Sequence, residues 1–352
     1  MCRSKFPARI GPAFLGLGLA LCANPISGAD LPGYTITDLR TLAGTQSGAT
    51  AINNAGRVVG SATEPGDQGS HAVEWTSVGT PTALADRGYG GQAYGINGAG
   101  KVVGYTNHAT EWSRNGVLRD LGTLGGTQSY AKGISDAGLV VGYSLAADNR
   151  AFLPTLWSPA GMPSALGVPD GGGDAYAISI NDAREAVGYG TVSNSNWNHA
   201  LKWSARGSLT DLGTLLGALG NSDAYAINNA GRVVGDSQVS LGGPLHAVEW
   251  SADGVITDLG VLPGGSNSQA FAINDRGQVV GDADVYIPGF GNREEAVLWS
   301  DGQISDLNSL LPPGSGWYLL EATAINDRGQ IVGDGFYNGQ PHGFLLTPVR
   351  PP

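Results

Sequence analysis

One nine-residue pattern recurs seven times along this chain of 352 residues. Its consensus is Ile-Asn-x-x-Gly-x-Val-Val-Gly, and its final glycines follow one another at intervals of 38 to 52 residues. The copies occupy residues 52–60, 96–104, 134–142, 180–188, 227–235, 273–281 and 325–333. A repeat of this period indicates an architecture of similar units, each of which buries its apolar faces against its neighbours.

Two further landmarks follow the copies in a fixed order. The first is a His-Ala…Trp run, as at 71–75, and the second is an Asp-Leu-Gly run, as at 258–260. Turn formers separate them, such as Asn-Asp-Arg-Gly at 274–277, where Asn bonds the local backbone and Gly takes a positive φ. Each unit of about 46 residues therefore contains four short strands. The pattern predicts an all-β fold, a seven-bladed β-propeller of four-stranded blades.

The two ends of the repeat region complement each other. Residues 34–39 form a fourth strand with no unit before it, and residues 342–349 form a third strand with no fourth strand after it. We therefore predict that the N-terminal strand closes the last blade and leaves no unpaired edge. An open solenoid is the alternative, but it would need dissimilar polar caps.

The first 29 residues have the features of a secretory signal peptide. Arg3 and Lys5 belong to a basic start, residues 13–23 are apolar, and a small-residue cleavage site follows at 27–29. The apolar stretch is too short to span a bilayer, which takes about 20 residues. We expect residues 1–29 to be removed and the protein to be secreted by a bacterial cell, to the periplasm or beyond.

The remaining residues, 30–352, are predicted to form a single propeller domain. They contain no cysteine, since Cys2 and Cys22 both lie in the signal, so disulfides and thiolate metal sites are excluded. The net charge of the whole chain is −11, which makes it a poor partner for nucleic acid. No later segment is apolar enough to span a membrane, so we expect no membrane insertion after signal removal, and we expect a monomer.

The repeated Asp-Leu-Gly-Thr-Leu-Gly-Gly, Ala-Ile-Asn-Asp-x-Gly-x-Val-Val-Gly and His-Ala…Trp elements resemble the HAF repeat family of predicted extracellular bacterial proteins. The resemblance covers residues from about 34 to 349. The sequence departs from the name-giving His-Ala-Phe, which reads His-Ala-Val, His-Ala-Thr or His-Ala-Leu. The resemblance implies secretion and a repeated, propeller-like fold, but no activity.

The repeated polar residues indicate scaffold rather than chemistry. All five histidines occupy one position of the repeat, where they are expected to hydrogen bond at the start of the third strand. The repeated tryptophans are expected to pack between blades. No catalytic elbow, zinc-protease motif, phosphate loop or dinucleotide fingerprint is present. Asp282-Ala283-Asp284 lacks the spaced ligands of a calcium loop. We predict no cofactor and no metal.

Function is expected where the repeats differ, because scaffolds carry their sites on variable loops. The loops between second and third strands vary most, and they should share a face with the connections between blades. Aromatic rings beside polar groups suit sugars, which offer apolar C–H faces and hydroxyls. The alternative is that these rings pack against their own loops. The candidate ligand-binding residues are Trp197, Tyr286, Phe290, Tyr337, Asp284 and Arg293.

The mouth of the central channel is a second candidate site. The residue before Ala-x-Ala-Ile is polar in five units, although the fourth unit requires a shifted alignment there. Together these residues form a partly acidic ring that would bind a cation or a hydroxylated ligand, unless they only solvate strand ends. They are Gln92, Asp174, Asp223, Gln269 and Glu321.

These observations favour a secreted binding or interaction scaffold, for a glycan or a cell-envelope protein. A polysaccharide-active enzyme, either a lyase or a glycoside hydrolase, is the alternative, because propellers host both. A purely structural surface protein is a third possibility. Paired acids across one pocket would favour the enzyme, whereas a shallow aromatic shelf would favour binding.

Overall fold

The computed structural model describes residues 33–349, apart from 67, 68, 87, 89, 172, 193–196 and 290. These residues form 28 strands and one short 3-10 helix, Leu307–Leu310. The strands make seven antiparallel sheets of four strands each. The predicted seven-bladed β-propeller is therefore confirmed. The predicted signal peptide, 1–29, lies outside the described residues.

Each blade is an antiparallel meander whose strands are counted outward from the ring axis. The first strands are β2 (Ser47–Ile52), β6 (Gln92–Ile96), β10 (Gly125–Ile134), β14 (Ala175–Ile180), β18 (Ser222–Ile227), β22 (Ser268–Ile273) and β26 (Trp317–Ile325). The second strands are β3 (Val58–Thr63), β7 (Val102–Tyr105), β11 (Val140–Ala146), β15 (Ala186–Thr191), β19 (Val233–Gln238), β23 (Val279–Ile287) and β27 (Ile331–Tyr337).

The outer half of each blade follows the same order. The third strands are β4 (Ser70–Trp75), β8 (Ala109–Trp112), β12 (Phe152–Trp157), β16 (Asn198–Trp203), β20 (Leu245–Trp250), β24 (Gly291–Ser300) and β28 (Gln340–Pro348). The fourth strands are β5 (Pro81–Ala83), β9 (Leu118–Asp120), β13 (Pro163–Ala165), β17 (Leu209–Gly213), β21 (Ile256–Gly260), β25 (Gln303–Asp306) and, in blade 7, β1 (Tyr34–Leu39).

The ring closes through β1, as the complementary ends predict. This strand pairs antiparallel with β28 in a continuous register from Tyr34 opposite Pro348 to Leu39 opposite Gly343. Tyr34 and Leu39 are buried at 3% and 0% exposure. The closing strand thus adds core side chains as well as a complete backbone ladder.

The repeated tryptophans fill the spaces between blades, which confirms the prediction for them. Trp75 is fully buried and packs with Val58 of its own blade and with Val332 and Leu345 of blade 7. Its indole N–H donates to the carbonyl of Arg40, at the start of the connection from blade 7 to blade 1. A large side chain is needed here because neighbouring blades diverge with distance from the axis.

The histidines also perform the predicted structural task. In five blades the histidine Nδ1 at the start of the third strand contacts an aspartate in or just after the fourth strand, as in His246 and Asp258 at 2.8 Å. In four of these blades the aspartate also accepts from the backbone N–H two residues later, Gly260 in this case. The other pairs are His71–Asp86, His108–Asp120, His199–Asp211 and His342–Asp38.

The Asn of the repeat joins the blades at the end of the ring where first and second strands connect. Its Oδ1 accepts backbone N–H groups of its own turn, as Asn228 does from Ala230 and Arg232. Its Nδ2 donates to the equivalent carbonyl of the next blade, Asn274 in this case, at 3.1 Å. Six blades make this bond, and Asn326 to Asn53 closes the circle. We call this ring of residues the Asn collar.

The collar is interrupted in blade 3, where Ser135 replaces Asn. Its hydroxyl accepts from Leu139 N–H but does not reach the carbonyl of Asn181. We expect Ser135→Asn to raise the free energy of unfolding by about 0.5–1.5 kcal/mol, the net value of one hydrogen bond. Asn228→Ser, the reverse change in an intact blade, should lower it by about 1–3 kcal/mol. Urea unfolding measures both changes. A Ser135→Asn variant less stable than the parent would contradict a stabilising role of the Asn collar.

Candidate functional site

The opposite end of the ring, which we call the loop face, carries the connections between blades and the loops between second and third strands. Two positions per blade face each other there across the first and second strands: the residue before the strand-one Ala and the residue after Val-Val-Gly. The pairs, from blade 1 to blade 7, are Gly48–Ser61, Gln92–Tyr105, Tyr130–Tyr143, Tyr176–Tyr189, Asp223–Asp236, Gln269–Asp282 and Glu321–Asp334. One ring of equivalent positions is therefore aromatic on one side and acidic on the other.

The aromatic side is a continuous chain of ring contacts across blades 2 to 4. Tyr105 stacks on Tyr130 with centroids 4.5 Å apart and planes at 20°. Tyr143 then meets Tyr130 at 5.0 Å and Tyr176, edge to face, at 4.9 Å. We call this set the aromatic arc, whose half-buried members are Tyr105, Tyr130, Tyr143, Phe152, Tyr176 and Tyr189.

The acidic side spans blades 5 to 7. Asp236 is 1% exposed, and its Oδ2 accepts from the Tyr225 hydroxyl at 3.0 Å and from Gln269 Nε2 at 2.7 Å. Asp334 accepts from the Ala49 N–H of blade 1. We call the set the acidic arc: Asp223, Asp236, Asp282, Glu321 and Asp334.

Burial sets the protonation of the acidic arc. Loss of hydration raises the pKa of Asp223 to about 6 and that of Asp334 to about 7. Loss of hydration and the nearby charge of Asp223 raise the pKa of Asp236 to about 7. Burial, followed by the charges of Glu294 and Glu321, raises the pKa of Asp282 to about 7. Near neutral pH the arc is thus a mixture of carboxylic acids and carboxylates, which donates as well as accepts hydrogen bonds.

Two carboxyl oxygens of the arc are buried without a hydrogen-bond partner among the described residues. They are the Oδ1 atoms of Asp223 and Asp282. Buried polar atoms in folded proteins are nearly always satisfied, so each such atom calls for a physical explanation. A hydroxyl of a bound ligand would satisfy either oxygen.

A cavity of about 680 Å³ opens between blades 5 and 6 beside the acidic arc. Three residues predicted from the sequence, Gln269, Asp284 and Arg293, lie together in its wall. The lining consists of Leu245, Asn267, Ser268, Gln269, Asp282, Asp284, Asn292, Arg293 and Glu294. The predicted loop site and the predicted channel mouth therefore meet at this cavity.

Asp284 organises the cavity wall. Its carboxylate accepts from the backbone N–H groups of Ser266 and Asn267 and from the side chain of Asn292. Burial opposes its ionisation, but the hydrogen bonds from Asn267 and Ser266 outweigh burial and hold the pKa of Asp284 below the ordinary value. A Cβ at Gly265 would lie 2.0 Å from the Asp284 carbonyl oxygen, so only glycine fits there. Asp284 thus fixes the connection between blades 5 and 6 against the β23–β24 hairpin.

Arg293 is the cation of this cavity. Its Nε donates to Glu295 at 2.9 Å, and the guanidinium lies 4.6 Å from the Tyr318 ring centroid. Half of its side chain remains exposed. The neighbouring Glu294 is exposed. The cavity accordingly presents exposed groups of both charges beside the partly protonated Asp282.

Tyr286, Tyr337 and Trp197, three of the other predicted loop residues, do not line this cavity. Tyr286 of β23 is 61% exposed. Tyr337 of β27 stacks on Trp317 of β26 with centroids 5.0 Å apart. Trp197 is half-buried just before β16. Phe290 lies outside the described residues.

Four of the five predicted mouth residues take the expected position, and Asp174 does not. The residue equivalent to Asp223 in blade 4 is Tyr176, which pairs with Tyr189. Asp174 lies two residues earlier, and its Oδ1 accepts from the Phe152 N–H at 2.8 Å. Asn221 makes the same contact in blade 5, so Asp174 joins consecutive blades, and it also hydrogen bonds the side chain of Tyr176. Gln92 keeps the mouth position and accepts from the Tyr94 hydroxyl.

Sequence reasoning missed the second half of the ring of positions. The residue after each Val-Val-Gly supplies three of the six residues of the aromatic arc and three of the five residues of the acidic arc, yet it lies in a regular strand rather than in a loop. The sequence does contain a signal for this position: its residue type varies from blade to blade, whereas the Val-Val-Gly before it is nearly constant. In blade order it reads Ser61, Tyr105, Tyr143, Tyr189, Asp236, Asp282 and Asp334.

Comparison with known proteins finds one family model that matches part of the chain and solved structures with a similar fold. A family model described as "Protein of unknown function (DUF3466)" matches residues 172–343, which include blades 4 to 6 and most of blade 7. No curated protein gives a significant match.

In the part of the chain that the structure describes, no helix is long and apolar enough to cross a membrane. Within the same residues no three His, Cys, Asp or Glu side chains are placed to hold a metal ion.

Solved structures resemble the chain at the level of the fold. The β-propeller domain of the Trilobed protease from Pyrococcus furiosus, reported to have an open velcro topology, is 12% identical with a TM-score of 0.52. The match covers 76% of this chain and 86% of that one. A prolyl endopeptidase structure matches with a TM-score of 0.56 and 10% identity, covering 87% of this chain and 47% of the endopeptidase. Such low identities establish a propeller and no activity.

Proposed function

We propose that this protein is a secreted bacterial carbohydrate-binding propeller, with its ligand site at the mouth on the loop face. The observation that carries the proposal is the division of one ring of positions into the aromatic arc and the acidic arc. Secretion rests on the predicted signal peptide and on the resemblance to HAF repeat proteins. A cell-envelope protein is the other partner predicted for the same face.

The chemistry of the two arcs complements a sugar. Half-buried tyrosine rings offer apolar faces for the C–H side of a pyranose. The carboxyl groups opposite can donate to and accept from sugar hydroxyls, because burial raises the pKa values of four of them to about 6–7, where protonated and ionised groups coexist near neutral pH. Their reduced charge suits a neutral polysaccharide better than an anionic one.

Tyr143 is the central ring of the aromatic arc, since it contacts Tyr130, Phe152 and Tyr176. We expect Tyr143→Ala to weaken polysaccharide binding by about tenfold, which corresponds to about 1.4 kcal/mol of lost ring contact. Native affinity electrophoresis through gels cast with neutral polysaccharides measures the effect as restored mobility.

Tyr286→Ala is the matched variant, because it removes the same ring from the exposed hairpin of blade 6. Retardation that survives Tyr286→Ala but not Tyr143→Ala places the ligand at the mouth. The opposite result would move the site to the loops. Free passage of the parent protein through every gel would contradict glycan binding and favour a protein partner.

One observation favours the alternative, a polysaccharide-active enzyme. Asp282 and Glu294 line the same cavity, and the charge of Glu294 helps to raise the pKa of Asp282 to about 7, after burial. A protonated acid near a carboxylate is the pair that glycoside hydrolases use on either side of the scissile bond. The reducing ends released from the bound polymer decide between the two functions. Release of reducing ends that Asp282→Asn abolishes would establish the enzyme. A polymer that stays intact would favour the binding function.

A further inference from the structure

Each first strand carries a β-bulge in which one residue has no partner on the second strand. In blade 1, for example, the pairing register shifts between Ala49 and Ala51, so Thr50 is the extra residue. A bulge adds an unpaired residue and redirects its side chain. Here the seven bulged side chains line a cavity of about 400 Å³ on the ring axis. In blade order they are Thr50, Tyr94, Lys132, Ile178, Tyr225, Phe271 and Thr323.

Lys132 is the charged side chain of this cavity. Every other residue of the described lining is apolar, aromatic, glycine or a hydroxyl residue. The Lys132 Nζ lies 3.5 Å from the centroid of the Tyr94 ring and 5.9 Å from that of Tyr143. Among residues 33–349 as described, no carboxylate pairs with it, whereas Lys101 and Lys202 pair with Glu111 and Glu185.

An ammonium group without a counter-ion is costly to bury. Aromatic faces recover only part of its lost hydration, about 0.5–2 kcal/mol per cation–π contact. Burial lowers the pKa of Lys132 to about 8, so the group is still mostly charged at pH 6.5. The ring does not need a charge here, because the equivalent positions hold Thr, Tyr, Ile and Phe. A ligand that supplies the counter-charge explains why the lysine is there.

We propose that the axial cavity is a second ligand site, which binds a small organic monocarboxylate. The carboxylate lies against the Lys132 ammonium, and the apolar body of the ligand packs against Tyr225 and Phe271. Mostly apolar walls with one fixed polar group are typical of small-molecule sites. A single ammonium neutralises one negative charge, and the acidic arc at the mouth repels polyanions.

This proposal does not depend on the proposed glycan site, although Tyr143 of the aromatic arc lies near Lys132. The mouth offers carboxyl groups and tyrosine faces to hydroxyls, whereas the axial cavity offers an ammonium to an anion. The two proposals therefore succeed or fail on different ligands.

The test is isothermal titration calorimetry of the full-length protein at pH 6.5 with benzoate and with benzamide, its neutral isostere. We expect benzoate to bind in a 1:1 ratio and at least tenfold more tightly than benzamide. Equal affinity for the two probes, or no benzoate binding at millimolar concentration, would overturn the proposal. This comparison requires no variant.

Lys132→Met then removes the charge and keeps the length of the side chain. We expect it to lose the tenfold preference, so that benzoate and benzamide bind alike. Lys202→Met is the matched control, since Lys202 pairs with Glu185 at 2.9 Å and does not line the cavity, and it should keep the preference. Unchanged benzoate affinity in folded Lys132→Met would overturn the proposal.

Discussion

A chain that begins at residue 40, and so lacks β1, is expected to lose cooperative folding at 37 °C. The deletion removes two core side chains, Tyr34 and Leu39, and leaves β28 as an unpaired edge. Loss of one buried leucine side chain alone costs about 2–5 kcal/mol, against a total stability of about 5–15 kcal/mol for a typical domain. The deletion also removes Asp38, the partner of His342.

Thermal melting followed by circular dichroism measures this effect, with a chain that begins at residue 30 as the parent. A synthetic peptide of residues 30–43 added in trans should restore the transition, because it can pair with β28. Leu39→Ala and Thr35→Ala provide a matched pair, since Leu39 is buried and Thr35 is exposed in the same strand. We expect Leu39→Ala to lower the melting temperature strongly and Thr35→Ala to change it little. A deleted chain that melts like its parent would show that the ring does not depend on this closure.

The second large effect is the response of stability to pH. Burial raises the pKa of Asp236 to about 7 in the folded chain, against an ordinary value near 4. Between these values the folded chain keeps a proton that the unfolded chain has released. The stabilising contribution of that proton is therefore complete below about pH 4 and is lost as the pH rises through 7. For Asp236 alone the loss between pH 5.5 and 8.5 is about 2 kcal/mol.

Asp236→Asn should reduce the loss of stability between pH 5.5 and 8.5 by about 2 kcal/mol and stabilise the protein at pH 8.5 by about 2 kcal/mol or more. The amide oxygen can still accept from Tyr225 and Gln269, and no charge is buried. Urea unfolding at pH 5.5 and pH 8.5 measures both effects.

Asp284→Asn is the control with the opposite sign. Hydrogen bonds hold the pKa of Asp284 below its ordinary value, so its stabilising contribution is present at neutral and high pH and is lost only in acid. This variant should lose about 1–3 kcal/mol at pH 8.5, because donors that the carboxylate satisfies are left unpaired. An Asp236→Asn variant with the same pH slope as its parent would assign the dependence to other groups.

Much of the fold was predictable because its determinants are local. Period-two alternation and turn residues such as Asn274 and Gly277 define four strands per unit, and the count of units defines the ring. The complementary ends predicted the pairing of β1 with β28. The burial of the tryptophans and the structural hydrogen bonding of the histidines followed from their fixed places in the repeat, since equivalent residues in a ring meet equivalent neighbours.

The candidate site was predictable only in part. Gln269, Asp284 and Arg293 were identified as variable polar residues, and the structure brings them to one cavity. Asp174 was assigned to the wrong position because the sequence places it before an Ala-x-Ala-Ile motif. In the structure the bulge of blade 4 lies between Ala177 and Ser179, so the mouth position belongs to Tyr176. Tyr143 and Asp236 were missed, since the residue after Val-Val-Gly lies in a strand whose periodicity looks the same in every blade.

The sequence by itself therefore determined the unit, the number of units and the way in which the ring closes, because these depend on turn chemistry and on pairing between adjacent segments. Tertiary structure decided the division of the mouth into two arcs, the bulges that turn Lys132 toward the axis, and the raised pKa values of the buried acids. Those features depend on which residues meet across blade boundaries and on how much water remains around them. Neighbours along the chain do not carry that information.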